Sequence, residues 1–74
     1  MKQAIVWSKD ACAHCEQAKN LLKSKNIAYE ERNIMKDWTK AQLLEAVPTA
    51  RALPQIFLDG EYVGGFSELR AKIM

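Results

Sequence analysis

The segment Gln3–Ser8 (QAIVWS) carries consecutive apolar residues and reads as a short buried strand. From Ala13 to about Lys25, the apolar positions Cys15, Ala18, Leu21 and Leu22 recur at three- and four-residue spacing among Glu, Lys and Asn. That periodicity predicts an amphipathic helix ending near Ser24–Asn26. Ala28–Asn33 (AYEERN) follows as a weaker strand candidate. A strand, a crossover helix and a second strand constrain the chain more than any other feature, because the crossover calls for a right-handed parallel pair.

Trp38–Ala46 predicts a second helix, with Trp38, Ala41 and Leu44–Glu45 setting its faces, and Val47–Leu53 reads as loop. Gln55–Leu58 and Glu61–Val63 flank Asp59-Gly60, a strong signal for a two-residue hairpin. Gly64-Gly65 breaks the strand, and Phe66–Ile73 predicts a closing helix with Leu69 and Ile73 on one side. The order β-α-β-α-β-β-α predicts an α/β fold: a four-stranded mixed sheet flanked by three helices. At 74 residues, positions 1–74 form one domain, and 49% hydrophobic residues suffice for its core.

The net charge is +2, with acids and bases interleaved, so no basic block marks a nucleic-acid or lipid binder. No apolar run approaches a membrane span. The opening MKQAIVW runs straight into a strand-like segment without a signal peptide's apolar region, so a cytoplasmic protein is expected. In that reducing compartment a thiol pair is catalytic or metal-binding more often than structural.

The only two cysteines lie in KDACAHCEQA, at positions 12 and 15, with the only histidine between them. A disulfide there closes a loop too short to restrain much of the chain, so its value is not stability. Cys12 falls where the first helix begins, and the free N–H groups and dipole of that terminus favour a thiolate. Lys9 adds positive charge nearby. Cys15 lies one turn on, within reach of a disulfide with Cys12. A zinc site wants four ligands, and this chain offers Cys12, Cys15 and His14 without a second pair. Two inert core cysteines are the plain alternative. Location at a strand-to-helix junction favours redox chemistry.

Three stretches taken together, WSKxxCxxCxxAK, ALPQIFLDG and VGGFSEL, resemble the glutaredoxins, in the short form common among bacterial and phage members. The resemblance spans essentially the whole chain. It implies a thioredoxin-like fold and glutathione-dependent thiol–disulfide exchange on protein disulfides and glutathione mixed disulfides, with glutathione as co-substrate. By position it implies Cys12 as nucleophile, Cys15 as resolving thiol, and Leu53–Pro54 as a cis-proline turn whose Leu53 backbone pairs with substrate. Lys9 and Arg51 would lie near glutathione's carboxylates, Pro54, Gly65 and Phe66 would line its site, and Ser67 and Glu68 would meet its γ-glutamyl end. Partners implied are glutathione and disulfide-containing or glutathionylated proteins, with the chain a monomer.

The pattern departs from the family at three places. The pair is C-A-H-C rather than C-P-Y-C, and His14 is expected to lower the Cys12 pKa by a hydrogen bond or partial charge. Ala52 stands where the family usually has threonine. A helix-two glutamine that touches glutathione has no exact counterpart, Gln42 being one position off. A lowered Cys12 pKa gains little in attack, since nucleophilicity falls with basicity, and helps chiefly when that sulfur leaves. Two other readings remain: a thioredoxin-reductase-dependent electron donor to ribonucleotide reductase, and a dimer holding a [2Fe–2S] cluster through Cys12 and glutathione.

Overall fold

The computed structural model describes residues 3–74. Met1 and Lys2, which head the MKQAIVW segment, lie outside the described residues. The elements are β1 (Gln3–Ser8), α1 (Ala13–Ser24), β2 (Ala28–Asn33), α2 (Lys40–Ala46), β3 (Gln55–Leu58), β4 (Glu61–Gly64) and α3 (Phe66–Ile73). The sheet runs β2-β1-β3-β4. β1 and β2 are parallel, with Gln3 opposite Ala28 and Ser8 opposite Asn33, while β3 is antiparallel to both β1 and β4.

Alternation along the strands separates two apolar layers. Ala4, Val6, Ile56 and Leu58 meet Ala18 and Leu22 of α1 and Leu69 of α3 on one face. Trp7 meets Leu43 of α2 and Val47 on the other, with Ile5, Trp38 and Phe57 packed around them. Two helices thus cover one face and a single short helix covers the other.

The Asp59-Gly60 expectation is met: both residues have positive φ, 51° and 84°, and Leu58 pairs with Glu61 across them. That is the backbone a two-residue turn needs to match strand twist. Two boundaries differ from the sequence reading. The second helix starts at Lys40, not Trp38, because the Thr39 side chain accepts the Gln42 N–H while the Gln42 side chain accepts the Thr39 N–H. This reciprocal cap ends the helix at Thr39 and frees Trp38 to stand edge-on to Trp7, with centroids 5.3 Å apart. Gly64 does not break β4. It pairs with Ile56 beyond an irregularity in the ladder, at φ 123°, so only Gly65 lies outside the strand.

Candidate active site

β1 ends at Ser8, whose hydroxyl is fully buried and donates to Glu31 of β2 at 2.7 Å. The loop that follows is tied to the end of β2, since Asn33 donates from Nδ2 to Asp10 at 3.0 Å and Ile34 N–H donates to Ser8 O. Ala11 then turns the chain through a left-handed conformation, φ 55°, which brings Cys12 to the N-cap of α1. In that position the Cys12 sulfur accepts the Cys15 N–H at 3.2 Å. A side-chain acceptor at an N-cap satisfies one of the helix's free donors, and here the acceptor is sulfur.

Cys12 and Cys15 are joined as a disulfide with Cα atoms 5.2 Å apart. The two sulfurs are not equivalent in access. Cys15 is fully buried against the sheet, whereas Cys12 is half-buried at the surface. Any external thiol or disulfide therefore reaches Cys12 first.

The Leu53–Pro54 peptide bond is cis, and the Leu53 carbonyl oxygen lies 3.8 Å from the Cys12 sulfur. Beyond this turn lies a groove of about 420 Å³, lined by His14, Leu53, Pro54, Gly65, Phe66, Ser67 and Glu68 among others. Gly65 is the N-cap of α3 and has no side chain to cap it, and the first residues of that helix, Phe66, Ser67 and Glu68, line the groove. Glu68 folds back and accepts the Gly65 N–H at 2.8 Å. His14 lies nearly parallel to Phe66, ring centroids 6.2 Å apart, as one wall. Among the described residues it makes no hydrogen bond to either sulfur.

Lys9 and Arg51 come together elsewhere, in a hollow of about 410 Å³ that they share with Leu43 and Leu53. Ala52 and Leu53 line both cavities, so the basic pair and the glycine pair flank the turn that carries these two residues. Gln42 is absent from both linings, its side chain being spent on the cap of α2. Cys12 itself lines a third, polar cleft of about 610 Å³, together with Lys9, Glu16, Lys19 and Glu31. Burial by itself would lower the Lys19 pKa, but hydrogen bonds and charge from Glu16 and Glu31 raise it above its usual 10.5. The same Lys19 hydrogen bond is the chief reason the Glu31 carboxyl is held below 4.5, against the opposing effect of burial.

Sequence reasoning passed over Gln55 and Tyr62. Gln55 is buried and polar, and its amide donates to Ala52 O at 2.7 Å while its carbonyl accepts the Tyr62 hydroxyl. A polar residue directly after Pro54, inside an otherwise apolar strand, was the available signal.

The [2Fe–2S] reading takes Cys12 from each of two chains and the remaining ligands from glutathione, so it asks of one chain only an accessible Cys12, which is half-buried at the surface. Among the described residues no group of three or more His, Cys, Asp or Glu within one chain could hold a metal ion, and no cluster step is derived. No helix among the described residues is long and apolar enough to cross a membrane.

A four-stranded mixed sheet with a C-x-x-C pair at the first helix N-terminus, facing a cis-proline turn, defines a thioredoxin-like thiol–disulfide oxidoreductase. Within that class, residues 4–63 match the glutaredoxin family model, and the chain belongs to the glutaredoxin family. Glutaredoxin 3 of Escherichia coli K12 is 31% identical over 71 residues, covering 96% of this chain and 86% of its own. Glutaredoxin 1 of Rickettsia conorii is 36% identical over 67 residues, covering 88% of this chain and 66% of its own. Among solved structures, glutaredoxin 1 of Francisella tularensis superposes with a TM-score of 0.83 at 26% identity, covering 97% of this chain and 92% of that one. A buckwheat glutaredoxin–glutathione complex superposes with a TM-score of 0.79 at 25% identity, covering 96% and 67%.

Proposed function

We propose that this protein uses glutathione to reduce glutathione mixed disulfides and protein disulfides in a reducing cytoplasm, with Cys12 as nucleophile and Cys15 as resolving thiol. The observation that carries this reading is the Leu53 carbonyl 3.8 Å from the Cys12 sulfur, on a turn whose Ala52 and Leu53 line both the hollow of Lys9 and Arg51 and the groove at the start of α3. A tripeptide with a carboxylate at each end fits across such a turn. Basic side chains take one carboxylate, helix N–H groups take the other, and the Leu53 backbone pairs with the middle residue. Glu68 is then placed to meet the γ-glutamyl ammonium. That a buckwheat relative is solved in complex with glutathione supports glutathione as the co-substrate.

The steps follow from the asymmetry of the two sulfurs. The Cys12 thiolate, favoured by the N–H donors at the α1 terminus, attacks the glutathione sulfur of a mixed disulfide. A Cys12–glutathione disulfide forms and the protein thiolate leaves. A second glutathione thiolate attacks that bond, releasing oxidised glutathione and restoring the Cys12 thiolate. With a protein disulfide, Cys12 bonds one sulfur and expels the other. Cys15 then loses its proton and attacks Cys12, freeing the substrate and closing the pair. Two glutathiones reduce the resulting disulfide.

The test is reduction of the glutathione mixed disulfide of 2-mercaptoethanol, supplied with glutathione and glutathione reductase in one arm and thioredoxin reductase in the other. Turnover in the first arm is expected. Turnover only in the second would replace this reading with that of a thioredoxin-reductase-dependent donor.

A further inference from the structure

We infer that Gln55 and Tyr62 are positioning residues for the Leu53 turn, acting as one chain of hydrogen bonds from β4 to the loop that faces Cys12. Tyr62 is on the edge strand, its ring edge-on to Phe57 at 5.5 Å and 61°, and its hydroxyl donates to the Gln55 carbonyl. Gln55 then donates its amide to the carbonyl of Ala52, the residue just before Leu53. The segment Val47–Pro54 has no strand or helix of its own to hold it. Ala52 is exposed and supplies no side-chain hydrogen bond, so the Gln55 amide fixes its carbonyl from the sheet side.

Without that hold, Ala52 is free to rotate, and rotation there moves the Leu53 carbonyl that stands 3.8 Å from the Cys12 sulfur. Tyr62 keeps the Gln55 amide correctly oriented, because its hydroxyl takes the carbonyl end and leaves the NH₂ end for Ala52. Both residues also line the groove, so loss of either is felt where substrate backbone pairs. Neither touches a sulfur. Their effect is on how well a substrate is held, and less on the exchange itself.

The inference rests on the Leu53 turn being where substrates pair, and two substrates separate it from the glutathione reading. One is the glutathione mixed disulfide of 2-mercaptoethanol with glutathione. The other is a short peptide disulfide with dithiothreitol as reductant. Tyr62→Phe keeps the ring and loses one hydrogen bond, while Gln55→Met keeps the volume and loses both. KM is expected to rise about two- to tenfold in each, the range of one or two hydrogen bonds, with kcat falling less than KM rises. The double variant should be no worse than Gln55→Met, since the bonds form one chain. If the wild type reduces only the peptide, the glutathione reading fails and the same KM comparison is made on the peptide. KM within twofold of wild type in both variants overturns the inference, as does a double-variant loss equal to the sum of two independent ones. Parallel falls in kcat, affinity and unfolding midpoint also overturn it. If Gln55→Met does not fold, Tyr62→Phe at an exposed position decides alone.

Discussion

The Cys15 N–H points at the Cys12 sulfur from 3.2 Å, while the Cys15 sulfur itself is sealed beneath α1. One cysteine thus serves the other as a backbone donor in addition to pairing with it. Changing Cys15 to serine leaves that N–H in place, so Cys15→Ser is expected to keep reducing glutathione mixed disulfides and to lose the reduction of protein disulfides. Cys12→Ser should abolish both. Turnover by the Cys12 variant, measured with glutathione and its reductase, would contradict the assignment of the nucleophile.

Acid should weaken the fold through Glu31. Its carboxylate accepts from Lys19 at 2.8 Å and from Ser8 at 2.7 Å, and it is held below its usual 4.5. A carboxyl lowered by folding stabilises fully above the unfolded value, and that contribution disappears as pH falls through the folded one. Because the side chain is 35% exposed, screening limits the effect. Glu31→Gln is expected to cost about 0.5–1 kcal/mol at neutral pH, with the gap to wild type closing as pH falls below the usual carboxylate range. Urea titrations at neutral and at acid pH measure it. A gap that persists in acid would trace the loss to packing.

Arg32 covers both indoles. Its guanidinium carbon is 4.3 Å from the Trp38 ring centroid and 5.2 Å from that of Trp7. Arg32→Gln should lower stability by about 1 kcal/mol and alter tryptophan emission, with Arg32→Lys restoring only part because an ammonium is compact and strongly hydrated. Full recovery by lysine would show that charge alone matters there.

Gly64 and Gly60 differ in what they require. At Gly64, φ is 123° and an added Cβ would stand 3.0 Å from Glu68 Cγ. Gly64→Ala should therefore cost about 1–3 kcal/mol. At Gly60, φ is 84° with nothing within 4 Å, so Gly60→Ala should cost only the backbone term, about 1 kcal/mol. Unfolding midpoints of the two variants give the order.

Much of this fold was legible because its signals are local. Apolar spacing in residues 13–25 marked α1, and Asp59-Gly60 marked the hairpin, since each depends on neighbours within a turn. Thr39 and Gln42 carried an equally local signal, a capping pair three residues apart, which places the start of α2 after Trp38. The apolar indole drew the boundary two residues too early. Its partner, Trp7, is distant in sequence and does not enter a helical pattern.

The chain alone determined the element order, the helix-terminal cysteine and the glycine pair, because strand alternation, helical period and turn chemistry are properties of adjacent residues. Only the tertiary structure decided what meets that cysteine. The contact between Cys12 and Leu53 spans 41 residues and the Ser8–Glu31 bond spans 23, so both wait on strand register and the placement of β3 beside β1. Register is settled by which faces can be buried together, a condition on the whole sheet. It also brought Lys9 to Arg51 and turned a glutamine after a proline into a support for the active-site loop.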